Sequence, residues 1–558
     1  MGTVADYEPC PPMPGDWPVK AECLPFAAIP HSTRLFTDFL SYSPKVQPFY
    51  PRSANFKEWV KQETPDERYD ATRRQRVSAI LERQNKSWGA SSSTLANIQR
   101  LRAGASVVVT GQQVGLFGGP LFSILKALTA IKLAEEATSN SVDAVPVFWL
   151  ATNDHDLAEV NHTFLPGPEG TLFKSEVSTH GVEDAPVGSV VFGDEIEPVL
   201  QAATELMGAS PVADILRDSY RIGETFGSAF ARLFTRLFAD RGVILLDPSD
   251  PEFQAIAQPI YSAAIERVVE IDEALLSRGR ALETAGYHQQ VKVTPSSTLL
   301  FTLKDGVRLP IHRRTNGSDE VEFLIEEEKI SKLDLQQRIV GKPEEFSPNV
   351  LLRPVVEDYL LPTLAYTGGA AETAYFAQVA VVYEALLGHI TPIVPRFSAT
   401  VIEPKVKGLL ERYGLSFPDV FQGPEALREG VAAKILPPQL QRAFDDAQVN
   451  LQHSMASVRE GLARLDKTLV DAADNATSKM QHQLESLRAR AARAELRQSE
   501  IVSRHAQQLS NALFPHKTLQ EREIAAIYYL SRHGLEFLNQ LYSFLQIDCQ
   551  DHQVIALD

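Results

Sequence analysis

The chain has 558 residues, enough for more than one domain and a large buried core. Its 44% hydrophobic and 22% charged content is that of a globular protein. No apolar run reaches membrane-spanning length, the start MGTVADYEPCPPMPGDWPVK lacks a signal-peptide core, a charge of −17 disfavours nucleic acid, and Cys10, Cys23 and Cys549 form no CxxC pair, so a cytoplasmic protein without membrane partner, disulfide framework or structural metal is expected.

The first hundred residues read as mostly helical, with proline-rich connections such as PPMPGDWP and SPKVQPFYP. The segment 106–136, SVVVTGQQVGLFGGPLFSILKALTAIKLAEE, then reads as a buried strand, a glycine-rich loop and an amphipathic helix with Pro120 at its start. A strand feeding a helix N-terminus through such a loop is the usual α/β arrangement for an anion or nucleotide. Gly111, Gln112, Gln113, Gly115, Gly118 and Gly119 are therefore the candidate cofactor-binding residues. The loop matches neither the Gly-Lys-Ser/Thr phosphate loop nor GxGxxG, and a tight turn needing glycine is an equal alternative.

The next strand is 144–152, AVPVFWLAT, apolar as strands covered on both faces are. The helix between the two strands has the length of a right-handed βαβ crossover. Directly after the strand come Asn153, Asp154, His155 and Asp156, then Glu159 and His162. This cluster falls at the same sheet edge as the glycine loop, where ligands of open α/β sheets bind. His155, Asp156 and Asp154 are the candidate catalytic residues, His155 as acid or base beside the carboxylates, with Asn153 and His162 as candidate substrate contacts. The alternative is that the two aspartates cap the next helix.

A third strand is expected at 242–246, GVILL, and residues 167–205 and 290–327 read as mixed strand and loop insertions. KDGVRLPIHRR is a hairpin turning at Asp305-Gly306. In RPVVEDYLLPTLAYTGGAAETAYFAQ, Thr367-Gly368-Gly369 ends a strand and a helix begins at Glu372. Backbone amides at Gly368 and Gly369, with Arg353, Glu372, Tyr375 and the later Arg396, make a candidate substrate-binding group suited to carboxylates. Lys405 reads as a solvated charge.

From about Leu436 the texture changes. Leu440, Phe444, Ala447, Leu451, Met455, Val458, Leu462, Leu465 and Leu469 follow heptad spacing, and Met480, Leu484, Leu487, Ala491, Ala494 and Ile501 resume it. Two long antiparallel helices are expected, covering the stripe against each other or against a second chain. Phe514-Pro515 ends the pattern, and helices that pack back on the body follow.

Together TGQQVGLFGGP, VPVFWLATNDHDLAEVNH and LRPVVEDYLLPTLAYTGGAAETAYFAQ resemble the bacillithiol biosynthesis cysteine-adding family, the cysteine ligases. The resemblance covers nearly the whole chain, including the coiled coil and LFPHKTLQER. It implies an α/β fold: a Rossmann-like parallel-sheet core over 1–400, related to class I nucleotidyl-transferring synthetases. A helical coiled coil over 401–512 that pairs two chains and C-terminal helices over 513–558 would complete it. It also implies the last pathway step, joining L-cysteine to the amino group of glucosaminyl-malate. Analogy with class I synthetases implies activation by a nucleotide such as ATP. Two departures stand out: Thr152-Asn153 replaces the family's Gly-Glu before DHD, and Gly368-Gly369-Ala370-Ala371 replaces Gly-Gly-Pro-Gly. Two other readings fit parts of the chain. One is a nucleotidyltransferase or aminoacyl-tRNA-synthetase-like enzyme with another acceptor, and the other is a coiled-coil assembly protein with a nucleotide-sensing Rossmann domain.

Overall fold

The computed structural model describes residues 20–63, 69–179, 183–315, 321–433, 438–496, 500–544 and 546–557. Cys10, the PPMPGDWP stretch, Leu436 and the side chain of Ala494 lie outside the described residues. The strands, in chain order, are β1 (Lys20–Leu24), β2 (Ser106–Gln112), β3 (Ala144–Leu150), β4 (His162–Pro166), β5 (Leu172–Glu176), β6 (Ile244–Leu246), β7 (Ser297–Lys304), β8 (Val307–Thr315), β9 (Val321–Ile325), β10 (Glu328–Ser331), β11 (Phe346–Pro348), β12 (Thr363–Gly368), β13 (Ile393–Pro395), β14 (Ala399–Ile402) and β15 (His552–Ala556).

The central sheet runs β13-β12-β2-β3-β6, and every pair in it is parallel. Val107 and Val109 point into one core and Val108 into another, so β2 is buried on both faces. Its sequence is a run of valines because each residue meets apolar neighbours whichever way it points. The helix Leu121–Ser139 carries the chain from β2 to β3, its register fixed by seven residue pairs from Ser106↔Ala144 to Gln112↔Leu150. From β2 the chain moves outward to β3 and β6 on one side, while β12 and β13 occupy the other. The boundary between β2 and β12 is therefore the topological switch point, where a crevice opens at the carboxyl ends of the strands.

A second, antiparallel sheet, β10-β9-β8-β7-β11, folds over that crevice. The β7–β8 hairpin turns at Asp305-Gly306, both with positive φ (53° and 83°), as a two-residue hairpin connection requires. The 167–205 region supplies β5 and most of the helix Ile196–Met207.

The end of the chain is not helical throughout. After the helices Ala526–His533 and Glu536–Phe544, His552–Ala556 forms β15, antiparallel to β1 and parallel to β14. The HQVIA segment is almost wholly buried because it is flanked by strands on both edges. The helices Pro438–Leu465 and Val470–Leu496 pack as a hairpin joined through Lys467–Leu469, and Glu500–Leu513 follows. Within one chain the stripe is covered only in part: Phe444 is buried, whereas Val458, Leu465 and Leu487 are exposed. Among the described residues no helix is long and apolar enough to cross a membrane.

Candidate active site

A cleft of about 640 Å³ opens at the switch point, and its centre is a residue the sequence motifs did not single out. Lys126 lies one helical turn into the Pro120 helix, on the face turned towards the strand ends, and its side chain is only 5% exposed. Its Nζ donates to the Gly111 carbonyl (2.8 Å) and Gln112 Oε1 (2.8 Å) at the end of β2, and to Glu372 Oε1 (2.9 Å) beyond β12. One ammonium thus fastens the two sides of the switch point together. Burial pulls Lys126 down to about 8, with Glu372 opposing and the Arg396 and Arg353 charges adding to the fall. Burial alone would raise Glu372, but Lys126, the Gly369 amide and the Tyr366 hydroxyl hold its carboxyl below the usual range.

Glu372 also explains the glycines before it. Its Oε2 accepts the Gly369 N–H at 2.6 Å, so the carboxylate expected at that turn is the chain's own. A Cβ on Gly368 would sit 2.7 Å from Glu372 Cβ, so glycine lets the side chain fold back. The Gly368 backbone itself is buried beneath the turn.

On the β3 side, Gln113 binds the two strand exits together. Its Nε2 donates to Asp154 Oδ2 (2.8 Å) and Glu159 Oε2 (2.7 Å), while Asp154 Oδ1 accepts the His155 amide (2.7 Å). Gln113, Asn153, Asp154 and Glu159 all line the cleft. Beside the rim, His155 Nδ1 lies 3.1 Å from Arg308 Nη1. A guanidinium can only donate, so Nδ1 accepts and the ring proton sits on Nε2. His155 therefore presents an N–H donor rather than a free basic nitrogen. Arg308 comes from β8; it donates to Ser347 Oγ and the Pro348 carbonyl and lies 3.9 Å from the Phe301 ring centroid. Burial draws it down to about 10, with Asp154 countering.

The predicted arginines are both present, and both are largely engaged. Arg353 forks to Glu357 Oε2 (2.8 Å) and the Tyr375 hydroxyl (2.6 Å), with Tyr366 at 3.3 Å. Burial, reinforced by Asp358 and Glu372, pushes Glu357 up to about 8 against the pull of Arg353. Arg396 donates to the Phe397 carbonyl (2.8 Å) and to Glu521 Oε1 (2.6 Å). Its Nε is buried without a hydrogen-bond partner among the described residues, and a Cβ on Gly369 would come within 3.3 Å of it. Lys126, Arg396 and Arg522 surround the Phe122 ring at 5.3–5.7 Å, three cations on one wall of the cleft. Beside this wall Gly369 carries no side chain.

The lower glycines of the first loop do not line the cleft. Gly115 N–H donates to the Gln113 carbonyl, Gly118 N–H to the Gly115 carbonyl and the Tyr220 hydroxyl, and Gly119 N–H to the Leu116 carbonyl. Those amides are used within the loop. Gly118, at φ +86°, packs so closely that an added Cβ would meet Leu233 Cδ2 at 3.0 Å. Asp156 is exposed and caps the helix Leu157–Val160 through the Glu159 amide at 3.2 Å. His162 sits on β4, bonded to Asn161 Oδ1 (3.2 Å) and edge-on to Phe164. Of the predicted residues, Gly111, Gln112, Gln113, Asn153, Asp154, Arg353, Gly369, Glu372, Tyr375 and Arg396 thus come together; His155 touches the rim through Arg308.

Comparison with known proteins matches residues 19–397 to the family model described as bacillithiol biosynthesis BshC, N-terminal Rossmann-like domain. Residues 399–557 match bacillithiol biosynthesis BshC, C-terminal coiled-coil domain. The chain belongs to the BshC family. A relative from Koribacter versatilis, named "Putative cysteine ligase BshC", is 48% identical over 96% of this chain and 99% of its own length. Relatives bearing the same name from Solibacter usitatus (35% identical, 96% and 99% covered) and Salinibacter ruber (33%, 98% and 100%) extend across the same span. In this member of the BshC family, Thr152 is buried and donates to Asp247 Oδ1 (2.5 Å), anchoring the β3 exit to the β6 end. Asn153 and Ala371 both line the cleft.

Proposed function

We propose that this protein is a cysteine ligase of bacillithiol biosynthesis, forming the amide between the carboxyl carbon of L-cysteine and the amino group of glucosaminyl-malate, the pathway's last step. Membership of the BshC family and the relatives' names support the class of reaction. The observation that carries the reading is the cationic wall of Lys126, Arg396 and Arg522 at the switch-point crevice, facing the carboxylates Asp154 and Glu159. A cleft of about 640 Å³ is in the range that accommodates drug-sized ligands.

A free carboxylate and an amine do not condense appreciably at neutral pH. A nucleoside triphosphate, when bound, would supply the leaving group that makes the cysteine carboxyl reactive. Arg396 and Arg522 would hold its phosphates, and Lys126 would keep β2 and β12 in register beneath them. Arg308 and the His155 Nε2–H would donate to the oxygen on which negative charge grows as the amine attacks. Asp154 and Glu159 would orient the acceptor's ammonium and take its proton. The partly covered heptad stripe supports a homodimer. A groove of about 470 Å³ lined by Ala447, Leu451, Met480, Leu484 and Leu487 is an apolar surface that symmetric pairing would cover.

The test combines purified protein with L-cysteine, glucosaminyl-malate and ATP, with the thiol products resolved by mass spectrometry. Bacillithiol formation, and its loss with accumulation of glucosaminyl-malate in a deletion strain, is the expected result. Unchanged bacillithiol in that strain would overturn the proposal.

A further inference from the structure

Cys23, on β1, and Cys549, in the turn before β15, are separated by 526 positions in sequence, yet their Sγ atoms lie 3.3 Å apart. Both are partly exposed. That distance exceeds a disulfide bond by about 1.3 Å, a gap within reach of side-chain rotation. The backbone around them is held: β1 and β15 pair antiparallel over five residues, from Lys20↔Ala556 to Leu24↔His552. The turn is tied down by Lys57 on Asp548 at 2.8 Å, next to Cys549. Two thiols kept in contact by a strand pair and an ion pair are pre-positioned for each other.

We propose that Cys23 and Cys549 form a redox modification site, closing to an intramolecular disulfide when a peroxide is the oxidant. One thiolate attacks the peroxide oxygen, giving a sulfenic acid and one water. The second thiolate then attacks that sulfur and displaces a second water, so two thiols lose two electrons and two protons to hydrogen peroxide. Exchange with a small dithiol reverses the step. The bridge joins β1 to the turn that leads into β15, segments from the two ends of the described chain. Through β15 it acts on β14, which pairs with β15 in register and begins three residues after Arg396 of the cleft wall. Among non-secreted proteins such bonds are transient and redox-sensing rather than structural.

The test treats the full chain with hydrogen peroxide and maps peptides without reduction. The expected result is a Cys23–Cys549 peptide about 2 Da lighter than the sum of its two parts, lost on addition of dithiothreitol and absent in both Cys23→Ser and Cys549→Ser. A second reading is limited proteolysis: in the oxidised wild type, an N-terminal fragment cut after Cys23 stays attached until reduced. Oxidation that links Cys10 to either thiol instead, that joins only separate chains, or that leaves both cysteines open to alkylation would overturn the proposal.

Discussion

Replacing Arg353 by lysine keeps one positive charge and removes the planar fork. The guanidinium divides its donors between Glu357 Oε2 and the Tyr375 hydroxyl, with Tyr366 more distant, and its side chain is only 17% exposed. A lysine ammonium can keep Glu357, but it cannot reach Tyr375 at the same time. Losing one charge-assisted bond costs about 1.5–3 kcal/mol, and a buried hydroxyl left unpaired costs about 1–3 kcal/mol. A combined loss of about 3 kcal/mol corresponds to roughly a hundredfold in the folding equilibrium. The readout is the first cooperative urea transition, followed by tryptophan fluorescence, because Trp149 lines the cleft. A chain of this size need not unfold in one step, so the comparison stays within that transition. The apparent affinities for cysteine and for the acceptor should fall together, since the whole wall loosens. An unchanged transition combined with weakened acceptor binding alone would refute this reasoning and place the guanidinium on the substrate.

His155→Ala should lower turnover by about two to three orders of magnitude, the usual cost of removing a donor aimed at developing negative charge, with an unchanged melting profile; normal bacillithiol in complemented cells would assign His155 a structural role. Lys126 titrates near 8 when folded and near 10.5 otherwise, so between those values the folded protein binds fewer protons than the unfolded chain and its contribution to stability rises with pH, by about 3 kcal/mol in all. Lys126→Met lacks this rise, and a wild-type-minus-variant difference that stays flat from pH 8 to 10.5 in urea titrations would count against the assignment. Leu484→Glu should convert a dimer to monomers in light scattering, and an unmodified protein that is already monomeric at micromolar concentration would dismiss coiled-coil pairing.

Where local chemistry and sequence neighbourhood coincide, the sequence was legible. The valine run of β2, the Gly111, Gln112 and Gln113 stretch at its end and the polar cluster after β3 all lie on one βαβ unit, so their convergence follows from a single crossover. The Asp305-Gly306 hairpin was equally plain, yet its cargo was not: Arg308 reads as one charge among several in VRLPIHRR, and only the folding of β7–β8 over the crevice brings it to His155. Lys126 was hidden by its surroundings, one of two lysines in a largely apolar helix, where a lysine reads as a solvated position. Arg396 was legible as a candidate carboxylate contact, but its engagement was not, because Glu521, its partner, stands 125 residues away. Cys23 and Cys549 show the same limit at greater range. The heptad stripe was visible by periodicity, but periodicity does not tell which face a second helix covers and which it leaves exposed.

The Arg396–Glu521 pair has a consequence for synthesis on the ribosome. The parallel sheet and most of the cleft are translated before the long helical hairpin, whereas Glu521, which neutralises Arg396, and Arg522, which completes the cationic wall, are translated after it. A nascent chain halted within the hairpin would hold a buried guanidinium without its counterion, and a buried charge missing its partner is strongly destabilising. The cleft therefore matures in two stages, sheet first and wall last. Messages that stop within the hairpin should give protein that quality-control proteases remove, rather than a shortened enzyme with residual activity.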